Sequence, residues 1–265
     1  MSWQYRTYQK DGYSPAVGPY DDTAFNATYN AMEAGSDVRT IKEETPYEVD
    51  MGKQLQLGFI RKVYGILAGQ LLLTTGVCAV CVLNDAMRIF VLTNSWTVYV
   101  GLVLSVVVLF GLIACRYRYP VNMFLLVLWT LIEAYTIGVI CAAYFTVGQG
   151  MVVVQAAGLS LAVFIALTVF TLQTGIDFTF LGGAIFGALW ILVIWGIVNL
   201  IFGFQHVFLY SLAGAILFML FILYDTSNLV QKLGPDEYIT ASIELYLDIV
   251  NLFLFVLRML SSDDN

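Results

Sequence analysis

The chain has 265 residues, of which 60% are hydrophobic and 12% charged, with a formal net charge of −7. Soluble domains carry about 45–50% apolar residues, so this composition excludes a soluble fold and predicts a polytopic membrane protein built from spans of roughly 20 residues. The acidic balance excludes nucleic acid as a partner, since that needs basic patches.

Residues 1–58 hold nine of the nineteen acidic residues and six tyrosines, with no helical or alternating periodicity. They read as a disordered tail. The sequon Asn26-Ala27-Thr28 lies in it and is expected to be silent, because the tail is expected in the cytosol. The tail lacks the apolar core of a signal peptide, so the first span is expected to act as its own insertion signal.

Seven apolar runs follow, at about Val63 to Leu83, Trp96 to Cys115, Val121 to Phe145, Met151 to Leu172, Phe180 to Phe202, Val207 to Val230 and Ile239 to Leu260. A barrel would need shorter alternating segments. The prediction is an all-α integral membrane protein with seven transmembrane helices and a disordered N-terminal tail. Small residues such as Gly182-Gly183-Ala184 and Ala213-Gly214-Ala215 let helix backbones approach closely. The tail up to Lys62 has seven cations, Arg116 and Arg118 follow the second run and Lys232 follows the sixth, while Arg88 and Arg258 fall on the other side. The positive-inside rule then puts the N-terminus in the cytosol. Glu244, Asp248, Asn251 and Arg258 interrupt the seventh run, which leaves spanning and re-entrant readings both open.

Charge inside hydrocarbon costs several kcal/mol unless it is neutralised, paired or wetted, so each such residue is a functional-site candidate. Asp225 and Asp248 lie in the last two runs, about equally far from the break Lys232 to Tyr238. If that break joins antiparallel helices, the two carboxyls meet at one depth. Asn228 continues a polar stripe from Asp225, while Glu244 and Asn251 flank Asp248 at i−4 and i+3. Two carboxylates brought together in low dielectric tend to share one proton and titrate as a coupled pair, which suits a pH sensor, a cation site or an acid–base pair. The bland alternative is a structural hydrogen bond between helices, for which Asn or Ser would serve at lower cost.

Glu133, near the middle of the third run, is the next candidate for an ion path, or merely a partner of a tyrosine or arginine. Arg116 and Arg118 read either as snorkelling anchors or as a latch reaching the aspartates. Arg258 reads as an interfacial anchor, and Asp177 as a cap or a solvated charge. Cys78 and Cys81 have C-x-x-C spacing within an apolar helix, but with no second pair or histidine nearby, so they and Cys115 and Cys141 read as small buried hydrophobes. The single histidine, His206, excludes His-cluster metal sites, and the glycines follow no phosphate-binding pattern.

The segments Ile222-Leu223-Tyr224-Asp225-Thr226 and Leu245-Tyr246-Leu247-Asp248-Ile249-Val250-Asn251-Leu252-Phe253, with Leu172-Gln173-Thr174 and Asp177-Phe178-Thr179, resemble the Bax inhibitor motif family in its lifeguard branch. The resemblance runs from about Leu57 to the C-terminus. It implies a seven-helix, channel-like protein that leaks calcium across an internal membrane, with Asp225 and Asp248 as the pH-sensitive pair and Arg116 as the latch. It also implies Glu133 as the acidic position of the third helix. Where some bacterial relatives carry a further acid in the second helix, this chain has Ser105. The resemblance further implies a cytoprotective, anti-apoptotic role.

Together these readings give a pH-sensitive calcium leak channel of the endoplasmic reticulum or Golgi, with the vacuolar membrane open as well. Calcium, which prefers several oxygen ligands, would sit weakly and transiently on Asp225 and Asp248, helped by Glu133 or Glu244 and water. No cofactor and no enzyme activity are expected, and the partners are membrane lipid, calcium and cell-death regulators through the tail. A second reading is a membrane adaptor that restrains cell death without transport. The remote one is an intramembrane aspartyl protease, which would need Gly-x-Gly-Asp where this chain has Leu245-Tyr246-Leu247-Asp248.

Overall fold

The computed structural model of the chain describes residues 46–203 and 207–263. Residues 1–45, which hold most of the predicted tail and its sequon, and His206 lie outside the described residues. Among the described residues the chain is helical throughout, without a strand. The long helices are α1 (Pro46–Leu83), α3 (Trp96–Ala114), α4 (Val121–Thr146), α5 (Gly150–Thr174), α6 (Gly182–Phe202), α7 (Val207–Gln231) and α8 (Tyr238–Asp263), with a short α2 (Asp85–Thr93) after α1. Single 3₁₀ turns at Thr179–Leu181 and Pro235–Glu237 precede α6 and α8.

Every predicted run is a helix, and the ends differ from the prediction mostly by one or two residues. Gly175 and Gly203 adopt φ of 61° and 67° just after α5 and α6, the left-handed conformation that ends a helix and that glycine adopts without strain. Two differences stand out. Helix α1 begins at Pro46, so residues 46–58 are helical where the sequence suggested tail; proline is suited to the first turn of a helix. Helix α2 was not foreseen. It forms because Asn84 accepts from the Met87 amide at 3.0 Å, and Arg88 bonds Asp85 and donates to the Val82 carbonyl at 2.8 Å, closing the C-terminal end of α1.

Among the described residues six helices are long and apolar enough to cross a membrane: α1 from Gln54, α3, α4, α5, α6 with its 3₁₀ turn, and α7. Helix α8, the seventh predicted span, has 26 residues but carries Glu244, Asp248 and Arg258. It is one unbroken helix. At its start the Tyr238 hydroxyl accepts from Asn122 in the first turn of α4, and near its end Ser261 donates to Gln149, beyond the end of α4. Helix α8 therefore runs the whole length of α4, without a re-entrant bend.

Burial explains how α8 carries charge. Tyr246, Leu252 and Leu257 are essentially inaccessible and Asp248 is buried, so α8 is a central helix. It packs most extensively on α7, then on α5 and α4. Helices α3 and α6 are peripheral and expose Val103, Phe110, Trp190, Ile194 and Leu200, an outer surface that fits hydrocarbon rather than water. The chain is a multi-pass membrane protein. Lys62 lies over Tyr238 at the start of α8, and Asn122, which donates to the Arg116 carbonyl, donates to the same Tyr238, so these cations share one end of the bundle, while Arg88 lies against Phe145 at the other.

One contact between the central pair of helices admits no side chain. A Cβ on Gly214 would stand 2.3 Å from the Phe255 ring, which stacks on Phe218 with centroids 5.7 Å apart. Gly214→Ala should destabilise the bundle by about 1–3 kcal/mol, read as a lower thermal unfolding midpoint in detergent. Gly187→Ala, with nothing within 4 Å of the new carbon, should leave that midpoint nearly unchanged.

Candidate functional site

The turn between α7 and α8 is fixed by its backbone: the Lys232 and Leu233 amides donate to the Asn228 carbonyl at 2.9 and 3.0 Å, and Gly234 N–H donates to the Glu237 carboxylate at 3.2 Å. This reversal sets Asp225 and Asp248 face to face, with their side chains within hydrogen-bond reach of each other. Only 9% of Asp225 and 4% of Asp248 is exposed. Asp248 Oδ2 has no donor among the described residues. Ionised carboxylates only accept, so a bond between the two requires one proton held between them.

Of the flanking residues, Asn228 is within hydrogen-bond reach of Asp225, and half-buried Glu244 stands in the electrostatic range of both aspartates. Asn251 is turned away, its amide donating to the Leu247 carbonyl of its own helix at 2.8 Å. The predicted latch takes another form. The Arg116 guanidinium lies over the Tyr117 ring at 4.6 Å, Arg118 is exposed, and among the described residues neither forms an ion pair with an aspartate. The link from the end of α3 to α8 runs instead through the Arg116 backbone. Asn122 Nδ2 donates to the Arg116 carbonyl at 2.8 Å and to the Tyr238 hydroxyl at 3.0 Å, while Lys62 Nζ sits 3.2 Å from the Tyr238 ring centroid. This clasp ties α1, the α3–α4 turn and α8 at the cation-rich end. Nothing in the sequence marked it beyond a polar Asn122 opening an apolar run.

Glu133 is not brought to the aspartates. Ser105 donates to Glu133 Oε1 and accepts from Trp129 Nε1 at 3.1 Å, so a serine in α3 satisfies the acid in α4. Trp129 meets Tyr246 edge to face at 5.5 Å, and the Tyr246 hydroxyl bonds Thr74 Oγ1 at 2.9 Å. One turn earlier on α1, Gln70 donates to Thr130 at 3.0 Å. A buried polar ladder thus joins α3, α4, α1 and α8 two residues from Asp248, and the sequence reading missed it.

Asp177 is exposed in the turn before α6, where its Oδ1 accepts from the Thr179 amide at 2.8 Å. The Thr179 side chain and then its backbone N–H hold its carboxyl below the usual carboxylate range. It caps the turn, as one of its two sequence readings had it. Arg258 is exposed, with its guanidinium 5.4 Å from the Tyr210 ring centroid.

Among the described residues no group of three or more His, Cys, Asp or Glu side chains is arranged to hold a metal ion. A cation at the aspartate pair would draw its remaining oxygens from water. Between α1, α4, α5 and α8 lies a partly open cavity of about 550 Å³. It extends from Leu83, Phe145 and Gly150 at the Arg88 end to Ile249 and Val250, next to Asp248, and its walls are almost wholly apolar.

A family model described as "Inhibitor of apoptosis-promoting Bax1" matches residues 56–265. The chain belongs to the Bax inhibitor family. It is 39% identical to "Golgi anti-apoptotic protein" of Vaccinia virus (strain Lister), over 87% of this chain and 97% of the viral protein. It is 43% identical to "BI1-like protein" of Arabidopsis thaliana, over 80% of this chain and 83% of that one. It is also 40% identical to "Protein lifeguard 4" of Mus musculus, over 78% and 86%. Family membership is what the Tyr224-Asp225 and Leu245-Tyr246-Leu247-Asp248 segments had implied.

The Tyr238 clasp is open to measurement. In a double-mutant cycle, Asn122→Ala and Tyr238→Phe should couple by about 0.5–1.5 kcal/mol in detergent unfolding, the net worth of one hydrogen bond. Additive effects would mean the contact is absent in solution.

Proposed function

We propose that this protein is a pH-sensitive calcium leak channel of an intracellular membrane, gated by the Asp225–Asp248 pair. The observation that carries this reading is the meeting of two buried carboxyls on adjacent central helices, with one oxygen lacking any donor. Such a pair is stable while it shares a proton and repulsive once both groups ionise, so protonation or a passing cation changes how tightly α7 is held to α8. The cavity supports it too, since it reaches the turn after Asp248 from the far end of the bundle. Weak, transient binding is what conduction needs. We take α8 as the seventh crossing, because it runs the full length of α4. The N-terminus is then cytosolic and Arg88 lumenal, and the viral relative's name favours the Golgi among internal membranes.

Calcium flux through the purified full-length chain in proteoliposomes should vary with pH. Asp225→Asn and Asp248→Asn should each flatten that dependence, because a neutral amide cannot exchange the shared proton. An unchanged profile in both variants would remove the gating role.

The names of the relatives favour a second reading that is compatible with the first, a membrane adaptor that restrains cell death through protein partners. Deleting residues 1–45 separates them. If the tail carries the regulatory role, cell protection is lost while flux in liposomes persists; parallel loss or retention of both would assign protection to the helical bundle.

A further inference from the structure

The cavity wall holds chemistry that the leak reading does not use. Cys78 on α1 and Cys141 on α4 both line it, and their thiols are near enough to influence each other electrostatically. The helix backbones nearly touch here: a Cβ on Gly138, one turn before Cys141, would stand 3.6 Å from Cys78 Cα and 2.9 Å from Cys81 Sγ. A disulfide needs Cα atoms about 4.4–6.8 Å apart, so only helices that cross closely can be bridged, as these two do at Gly138. Cys78 Sγ also lies 3.9 Å from the Ala134 carbonyl, so it points across the crossing rather than into lipid. Cys81 belongs to a separate cluster with Val91 and Ala142 and does not line the cavity.

We propose that Cys78 and Cys141 form a reversible disulfide that cross-links α1 to α4 at the cavity wall, a redox-modification site formed by a small uncharged peroxide entering the cavity. Half-buried Cys78 is more exposed than Cys141 and reacts first: its sulfur attacks one peroxide oxygen, the O–O bond breaks, water leaves and Cys78 becomes a sulfenic acid. Cys141 sulfur then attacks Cys78 sulfur, the S–S bond forms, the S–O bond breaks and the hydroxide departs as water with the Cys141 proton. Two thiols lose two electrons in total, and one peroxide becomes two waters. Thiols in apolar walls are slow nucleophiles, but the second step is intramolecular between neighbouring groups. The bridge lies one turn from Thr74, which holds Tyr246, so it fixes α1 against α4 beside the polar ladder. On the topology proposed above, this half of the bundle faces the lumen, where disulfides persist.

The test uses the full-length chain in lipid nanodiscs, exposed to hydrogen peroxide, alkylated after denaturation and digested without reductant. Mass spectrometry should find a Cys78–Cys141 peptide pair lighter than its separate parts by two hydrogens, reversed by dithiothreitol, with Cys81 and Cys115 still alkylated. Cys81→Ser should keep the bridge, and Cys78→Ser and Cys141→Ser should each lose it and leave the remaining thiol alkylated. Full alkylation of both thiols after peroxide, or a bridge from Cys78 or Cys141 to another partner, overturns the proposal. None of these readouts depends on calcium flux, so the leak reading can fail while this one stands.

Discussion

Two buried carboxyls that meet on adjacent helices are the constraint around which the bundle is arranged. Asp225 and Asp248 sit where each alone would cost several kcal/mol as an anion, and no guanidinium or ammonium among the described residues pairs with either. The chain meets that cost by burying the carboxyl-bearing part of α8 among other helices. Tyr246, Leu252 and Leu257 are sealed by α7, α5, α4 and α1, while α3 and α6 stand outside with their apolar faces outward. Putting the charged helix at the centre and the most apolar helices at the rim follows from hydrocarbon being the surrounding solvent.

The helices were legible because each is an apolar run bounded by polar residues, and in a membrane the length of such a run is set by bilayer thickness. Helix α2 was not, since nine residues held by the Asn84 cap and Arg88 are too short for a span signal. The start of α1 was missed for a related reason, as residues 46–58 lack the apolar periodicity by which a helix is read. The aspartate pair was legible because the break at Lys232 to Tyr238 fixed its depth from both sides. Arg116 shows the limit of depth alone. It lies at the right end of the bundle, but its guanidinium stacks on Tyr117 while its carbonyl makes the link. Sequence places a residue along a helix, whereas the direction of a long side chain is decided by neighbours from other helices.

The same limit explains the polar ladder. Gln70, Thr74, Ser105, Thr130 and Glu133 are scattered through three apolar runs with no spacing that singles them out. Glu133 was marked as an acid within a run and Ser105 by the resemblance, but what they bond to is fixed only when packing brings the helices together, and then Ser105 meets Glu133 and Thr74 meets Tyr246. An unpaired polar group inside a membrane protein costs more than its hydrogen bond contributes, so such pairs fix which helices are neighbours even where their net stabilisation is small.

The distribution of these ties bears on which element yields when the carboxyl pair changes state. Helix α8 is tied at three depths, to Asn122 through Tyr238, to Thr74 through Tyr246 and to Gln149 through Ser261. The ties from α7 to other elements lie at one end, where Ser227 accepts from the Phe178 amide and the Val230 carbonyl accepts from Gln56. Along the rest of α7, Ser211 has a buried hydroxyl without a hydrogen-bond partner among the described residues, and contact with α8 is mostly apolar, through small residues such as Gly214 or through the Tyr210 ring against Arg258. Apolar contacts are non-directional and survive a small slide that would break a hydrogen bond. On the gating proposed above, loss of a shared proton would act on two unequal helices, and the less tethered α7, with α6 packed against it, is the one that repulsion would displace.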